Sequence, residues 1–255
     1  MTAVLDTTAR PTGAAHRIWS VVRLNTANPW TTITLPWMIL GFIFVINWLI
    51  WWIINTAAGP EGMVEAVDGL QWSGASMFIF VYMMVVAIQS VNLTFALALG
   101  YGATRRDFWL GSALTFALLA VMYTVGLTIL SVIEEATGGW GLGGRMFTAI
   151  YFGDSGWTGR AFAYLTLLAL GFFFGAAIGA VYVRWKSLGV TVFFAVLSLL
   201  IVALVAYLTF TQSWPAVGEA LVSLGLLGVY AWSYVITVLC AVVGFFILRR
   251  ATPRS

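Results

Sequence analysis

The short stretch around Arg105 and Arg106 holds the residues of this sequence best suited to recognising another molecule. Thr104 precedes the two arginines, and Asp107 and Phe108 follow them. Guanidinium groups bind carboxylates and carbonyl oxygens, and an aromatic ring fills an apolar pocket. Charge alone does not establish such a role, because a cytoplasmic turn that happens to contain two arginines explains the pair better.

The same stretch carries a helix start signal. The Thr104 hydroxyl suits an N-cap, and Asp107 stands three residues later, where it completes a capping box in its weaker Asp form. Gly100 and Gly102 allow a tight reversal before the cap. We therefore expect a short helix across the membrane surface that presents two arginines and an aromatic ring.

Two other motifs look catalytic, but their surroundings argue against that function. The segment 153–156 reads Gly-Asp-Ser-Gly, and a nucleophilic serine needs a histidine beside it. The sole histidine, His16, is predicted on the opposite side of the membrane, and Asp and Ser beside glycines form turns readily. The glycine-rich segment 138–144 lacks the Gly-Lys-Ser/Thr ending of a phosphate loop.

No nucleotide-binding motif occurs anywhere in the chain. The only lysine, Lys186, follows Trp185 rather than a glycine. The single cysteine, Cys240, excludes an intrachain disulfide and a cysteine metal cluster. We therefore expect no ATP hydrolysis, no metal site and no cofactor in this chain, which would not be an enzyme by itself.

These groups must be positioned by membrane-spanning helices. Of the 255 residues, 62% are hydrophobic and only 8% are charged. About 20 helical residues cross a hydrocarbon layer of about 30 Å. Continuous apolar runs favour helices over barrel strands. Six segments without a charged residue or histidine meet this length, at about 35–55, 77–100, 109–133, 162–183, 188–211 and 221–248. The fold class is an all-α membrane protein with a six-helix transmembrane domain over residues 35–250.

Basic residues give the orientation, because they are retained in the cytoplasm when they lie near a span. Ten of the 12 lie in the terminal and even-numbered connections, whereas Arg145 and Arg160 alone lie on the other side. Both termini are therefore expected in the cytoplasm. The net charge of +3 then reflects anchors facing anionic lipid rather than a nucleic-acid partner.

The N-terminal region 1–34 is expected to be a cytoplasmic tail with an interfacial helix. Residues 16–24 place apolar side chains among Arg17 and Arg23, which is typical of a helix lying on the membrane surface. An unstructured tail is the alternative. Residues 251–255 form a second cytoplasmic tail.

Inside the predicted spans the polar groups are amides and hydroxyls. Gln89 and Asn92 lie three residues apart on the second helix, with Met83 and Met84 about two turns before them. Such amides most often bond to a neighbouring helix; contact with a transported molecule is the sharper alternative. In the fourth span Gly171, Gly175 and Gly179 form a stripe for close helix packing, within the chain or with a second copy.

The pattern Gly-x-Ser/Thr-Arg-Arg/Lys-x-Phe between the second and third of six spans resembles the permease subunits of ABC-2 type ATP-binding cassette exporters, also called type V exporter-like. The matching residues are Gly102, Thr104, Arg105, Arg106 and Phe108, followed by Gly111. The topology match covers nearly the whole chain, whereas the motif itself is short.

This resemblance implies that residues 102–108 form a coupling helix seated on a separate nucleotide-binding ATPase subunit, which holds ATP and Mg²⁺. Arg105 and Arg106 would dock on that subunit, Phe108 would fill its pocket, and Asp107 would hold the helix start. Two permease chains, identical or different, would move a hydrophobic or amphipathic substrate across the bacterial plasma membrane.

The outer segment 134–161 is a candidate lid or re-entrant element, although in this family such an element more often follows the fifth span. A non-transporting membrane immunity or regulatory protein is the alternative function. An intramembrane enzyme is a weaker third, because no pair of titratable groups lies at one depth.

Overall fold

The computed structural model describes residues 13–70, 72–153 and 155–251. Six α-helices follow one another in these parts of the chain, which contain no strand. Their bounds are α1 Ala14–Asn25, α2 Leu35–Leu70, α3 Met77–Gly100, α4 Arg105–Ala136, α5 Gly156–Phe210 and α6 Trp214–Arg249. Within these described ranges, five helical segments are long and apolar enough to cross a membrane. The expected class, a helical membrane protein, is thereby confirmed.

The ends of α3 agree with the expected span, whereas α4 extends beyond its expected span at both ends. The second expected span coincides with α3 at 77–100, whereas α4 begins four residues before the third expected span and ends three residues after it. The polar ends of α4 lie beyond the apolar run, because a helix continues as long as its caps allow. The apolar composition therefore indicates which residues cross the hydrocarbon layer, but it does not indicate where the helix begins and ends.

Helix α5 is a hairpin of two arms. Lys186, at φ 58° and ψ −153°, interrupts its helical backbone. The rings of Phe174 and Phe193 lie 6.3 Å apart, whereas a straight helix would place residues 19 apart at about 28 Å. The arms 156–185 and 187–210 therefore run back along each other. The expected fourth and fifth spans, 162–183 and 188–211, fall one on each arm.

Glycines break two further helices. Gly59, at φ 70°, divides α2, and Gly225, at φ 64° and ψ 172°, divides α6 into 214–224 and 226–249. The second break falls within the expected sixth span, which was placed at 221–248. A glycine at positive φ can end a helix between apolar residues, so hydropathy alone does not mark the boundary.

The core lies between α3, α4 and the first arm of α5. Phe116 on α4 stacks on Phe172 of α5, with ring centroids 5.3 Å apart, and Phe80 on α3 lies 6.4 Å from Tyr164 of α5. By contrast, every residue from 187 to 224 is exposed or half-buried. The chain thus has a packed half and a half whose apolar surface needs lipid or another protein.

The two sets of connections lie at opposite ends of this bundle. Helix α1 and the C-terminal residues contact the start of α4, since Arg105 donates a hydrogen bond to the Arg249 carbonyl. The residues 151, 153 and 159 meet residues 226–230 of α6 at the other end. The end that carries the N- and C-terminal segments is called the inner end, and the other is called the outer end.

Glu134 closes the outer connection. Its side chain is buried, and its carboxylate accepts hydrogen bonds of 2.7–3.2 Å from five donors. These donors are the Trp140 indole, the backbone N–H groups of residues 146–148 and the Thr148 hydroxyl. The loop thereby wraps around the carboxylate of Glu134.

The segment 137–153 therefore differs from the expected lid within 134–161. It contains only a π-helical turn, Gly139–Gly143, and a 3₁₀ turn, Ile150–Phe152. Both turns are too short to form a re-entrant helix. Phe147 and Phe152 are buried, so the segment packs onto the bundle.

Candidate functional site

The inner connection between α3 and α4 is a tight four-residue turn. Gly102, at φ 81°, follows the end of α3, and the Ala103 N–H reaches back to the Ala98 carbonyl at 3.0 Å. This is the usual way a glycine ends a helix, because a left-handed backbone costs other residues free energy. The reversal expected from the glycines is thus supplied by Gly102.

The cap at Thr104 follows the expected geometry. Its Oγ1 accepts a hydrogen bond from the Asp107 backbone N–H at 3.1 Å. The helix that starts here is α4 itself, which runs on for 32 residues. The expected short helix across the membrane surface does not form, because no breaker follows Phe108 and the apolar run of the span begins at once.

Asp107 holds α1 to α4 at this end. Its carboxylate accepts a hydrogen bond from the Arg17 Nε at 2.6 Å. The hydrogen bond from Arg17, assisted by Thr104, holds the pKa of Asp107 below its usual value, although burial opposes this. The carboxylate is therefore ionised at neutral pH and ties two helices together rather than only holding a helix start.

Two further contacts fix α1 in place. The Asn25 amide donates to the Ser112 hydroxyl at 3.2 Å, and the Thr94 hydroxyl donates to the Asn25 carbonyl oxygen at 2.9 Å. Gly111 lets the helices meet closely, since a Cβ there would lie 2.6 Å from the Cβ of Val21. Helix α1 is thus held to the start of α4 and the end of α3.

Phe108 does not lie on the surface of the chain. Its side chain is fully buried, and its ring meets Phe95 of α3 edge-on at 5.2 Å. The expectation that Phe108 fills a pocket of another subunit is wrong for this conformation, since the ring already fills a pocket between α3 and α4. The motif phenylalanine therefore supports the turn from inside.

The two arginines of this stretch differ in their exposure and in their hydrogen bonds. Arg105 is half-buried and its guanidinium donates to the Arg249 carbonyl at 2.8 Å. Arg106 is exposed and has no hydrogen bond or ion pair with any described residue. Tyr101 is 84% exposed beside it, and Gly102 and Thr104 are exposed too. Sequence reasoning did not select Tyr101, although its position between two glycines in a turn was visible.

A groove of about 390 Å³ joins this turn to α1. Arg17, Val21 and Leu24 line its α1 side, and Ala98 and Tyr101 line its α3 side. The inner end therefore has a groove with an apolar floor and a basic rim, and Arg106 lines a second groove, between α4 and α6. We call Tyr101, Gly102, Thr104 and Arg106, with the groove beside α1, the inner surface.

The residues expected along a substrate path separate into two groups. Met83 is fully buried, and Met84 is half-buried against α5. Gln89 is exposed and Asn92 half-buried, and neither side chain has a hydrogen bond within the described parts of the chain. An unpaired amide facing hydrocarbon is costly, so the α3 face with Gln89 favours a polar neighbour outside the chain.

The glycine stripe of α5 lies against α3. A Cβ at Gly175 would stand 2.3 Å from the Met84 carbonyl oxygen, and one at Gly179 would stand 2.9 Å from the Cβ of Val91. A Cβ added at Gly171 would stand 3.3 Å from the Phe80 carbonyl oxygen. Its partner is therefore in the same chain, a point that the sequence left open.

Catalytic or metal-binding groups are not brought together in the described residues. No group of three or more His, Cys, Asp or Glu residues could hold a metal ion there. His16 and Ser155 belong to opposite ends of the bundle. Comparison of the chain with family models, curated proteins and solved structures found no significant match.

Proposed function

We propose that this chain is the permease subunit of an ABC-2 type exporter and that it is driven by a separate nucleotide-binding ATPase. The supporting observation is the inner surface, where Tyr101 is exposed beside the groove with α1 and Arg106 is exposed at the start of α4. Arg105 and Asp107, on either side of Arg106, are bonded within the chain, whereas Arg106 has no bonded partner among the described residues. The chain has no motif of its own for binding nucleotide, so ATP and Mg²⁺ would lie on that partner.

The proposed topology has six spans with both termini in the cytoplasm. The α5 hairpin supports it, since Lys186 separates two apolar arms that each have the length of a crossing. Helix α6 returns from the outer end to the inner end over residues 226–249. The distribution of basic residues puts the inner end in the cytoplasm.

The proposed coupling differs from the expectation in one respect. Arg106 reaches the ATPase directly, whereas Arg105, Asp107 and Phe108 hold the turn in place through Arg249, Arg17 and Phe95 respectively. Displacement of the inner surface would move α1, α3 and α4 together, because these helices share the contacts described above. Packed helix sets switch between discrete arrangements in this manner.

A second permease chain, identical or different, would complete the transporter. The exposed apolar residues from 187 to 224 and the unpaired Gln89 and Asn92 support this, since both surfaces need covering. A hydrophobic or amphipathic substrate would pass between the two chains. The complex would lie in the plasma membrane of a bacterium, with lipid as its other partner and no nucleic acid.

Co-purification tests the proposal. The full chain is isolated from its native host in mild detergent, and ATP hydrolysis is measured in the eluate. We expect an ATP-hydrolysing subunit with the wild-type chain and at least a tenfold loss of that activity with Arg106→Glu, because charge reversal opposes docking on acidic groups. The matched control Arg250→Glu reverses an exposed charge at the same end and should retain it.

A wild-type chain that carries no ATPase activity would contradict the proposal. That result would instead favour the alternative, a membrane immunity or regulatory protein that transports nothing. Equal activity in the wild type and Arg106→Glu would place the ATPase contact elsewhere and would remove the role of the inner surface.

A further inference from the structure

The only two basic residues on the predicted outer side line the same cavity. Arg145 and Arg160 are 15 positions apart, and both face a cavity of about 370 Å³ at the outer end. Basic residues are disfavoured in outer loops next to spans. Two exceptions that converge on one cavity indicate a common reason.

The outer connection shapes this cavity from glycine backbone. Gly138, Gly139 and Gly143 have φ values of 60–75°, which fold the loop back beside α4. Gly144 passes against the ring of Trp51, where a Cβ would lie 2.2 Å from a ring carbon. The wall without side chains leaves room that a bound group of several atoms would fill.

The acidic residues of the cavity are already engaged. Glu134 accepts hydrogen bonds from five loop donors, none of which is an arginine. Glu135 forms an ion pair with Arg160. Both carboxylates are thus bonded to other groups, and Arg145 forms an ion pair with neither of them.

Both arginines keep unused donors. Arg160 is only 4% exposed, and its Nε has no hydrogen-bond partner among the described residues. Arg145 is half-buried, and no described residue pairs with it. An arginine offers five N–H donors in a planar fork that matches phosphate oxygens. A buried donor without a partner costs free energy, and a bound anion would remove that cost.

The cavity lies at the level expected for lipid headgroups. Arg160 stands in the second turn of α5, one turn after the exposed Trp157, and Trp140 closes the other side of the loop. Tryptophan rings favour the boundary between hydrocarbon and water. The first turns of a helix also favour a negative group.

We propose that this outer cavity binds a phosphate group through Arg145 and Arg160. The phosphate belongs either to a phospholipid headgroup of the outer leaflet or to free inorganic phosphate, and both offer the same oxygens. This site is independent of the inner surface and of any ATPase, so it holds whether or not the chain is a permease.

Native mass spectrometry of the full-length, delipidated chain tests this site. The probes are dioctanoyl phosphatidylglycerol, inorganic phosphate and dioctanoylglycerol, which has the same tails without the phosphate. We expect the phosphatidylglycerol to bind at least tenfold more weakly to Arg145→Gln than to the wild type. The matched control Arg250→Gln removes an exposed charge at the inner end and should bind as the wild type does.

The two sources of phosphate separate by competition. Displacement of the lipid by inorganic phosphate supports a site for free anion, and retention of the lipid supports a headgroup site. Equal binding of dioctanoylglycerol and phosphatidylglycerol, equal affinity of Arg145→Gln and wild type, or no binding of either phosphate probe would overturn the proposal.

A second variant keeps the test valid if Arg145→Gln fails to fold. Arg145→Lys retains the charge but loses the planar fork, so it should bind phosphatidylglycerol about threefold more weakly. Wild-type affinity in this variant, measured on protein with unchanged melting temperature, would also overturn the site.

Discussion

The inner and outer connections of α4 differ in length and in how many of their side chains are buried. The outer connection, 137–153, is wrapped around the buried Glu134 and packs Phe147 and Phe152 onto the bundle. The inner connection, 101–104, is four residues long and leaves Tyr101 and Arg106 exposed. The outer connection thus bonds its backbone N–H groups to one buried side chain, whereas the inner connection leaves two large side chains exposed.

This contrast shows where the chain depends on other molecules. A loop that satisfies its backbone donors internally is fixed without a partner. At the inner connection, by contrast, the exposed side chains of Tyr101 and Arg106 form no hydrogen bond or ion pair with the described residues. We therefore expect substitutions at Glu134 and its donors to change stability and substitutions at the inner surface to change association.

Glu134→Ala should have the largest effect on stability. It leaves five donors of the outer connection without their acceptor, among them the buried backbone N–H groups of Met146 and Phe147. We expect a loss of about 3 kcal/mol or more, since each buried unsatisfied group costs roughly 1–3 kcal/mol. Reversible unfolding in mixed detergent micelles measures this change.

The control for Glu134 is Glu219→Ala. Glu219 is exposed and has no hydrogen bond or ion pair with the described residues, so its loss should change the free energy of unfolding by less than about 0.5 kcal/mol. Equal effects of the two substitutions would mean that the outer connection is not held by Glu134.

A pair of glycine substitutions compares the two ends with the same added methyl group. A Cβ at Gly144 would stand 2.2 Å from the Trp51 ring, so Gly144→Ala should destabilise the chain by about 2 kcal/mol. Gly100 ends α3 at the inner connection with nothing within 4 Å of the added atom. Gly100→Ala should be neutral or stabilising by about 0.5 kcal/mol.

The same unfolding assay measures both variants. A destabilisation by Gly100→Ala as large as that of Gly144→Ala would contradict the open packing of the inner connection. A neutral Gly144→Ala would show that the outer loop moves away from Trp51 without cost.

Much of the fold could be predicted from local signals. The apolar run 77–100 ends where α3 ends, and the Thr104 cap forms as its spacing predicts. The reversal at Gly102 follows from a residue that alone adopts positive φ freely. These features depend on nearby residues and on hydrocarbon thickness, which a single sequence reports.

The features that could not be predicted depend on contacts between residues that are distant in the sequence. Phe108 looked available because its neighbours are charged, but Phe95 on another helix covers it. Glu134 and Glu135 are adjacent and alike in sequence, yet one lies inside the loop and the other pairs with Arg160. No periodicity distinguishes them, because the difference arises from how the loop returns over the end of α4.

A helix break that lies between apolar residues was also difficult to predict from the sequence. Lys186 lay in an expected inner turn, so the α5 hairpin was foreseeable from its charge. Gly225 lies among leucines, where hydropathy favours an uninterrupted span. The conformational freedom of that glycine is the only local signal for the break, and many glycines in membrane helices remain helical.

Labelling of the two ends in intact cells tests the account most directly. Cysteine is introduced at Tyr101, 84% exposed at the inner surface, or at Trp72, 65% exposed at the outer end, in a Cys240→Ala background. A membrane-impermeant thiol reagent should label position 72 in intact cells and position 101 only after the cells are opened. Labelling of position 101 from outside would contradict the account, because the inner surface would then face away from ATP.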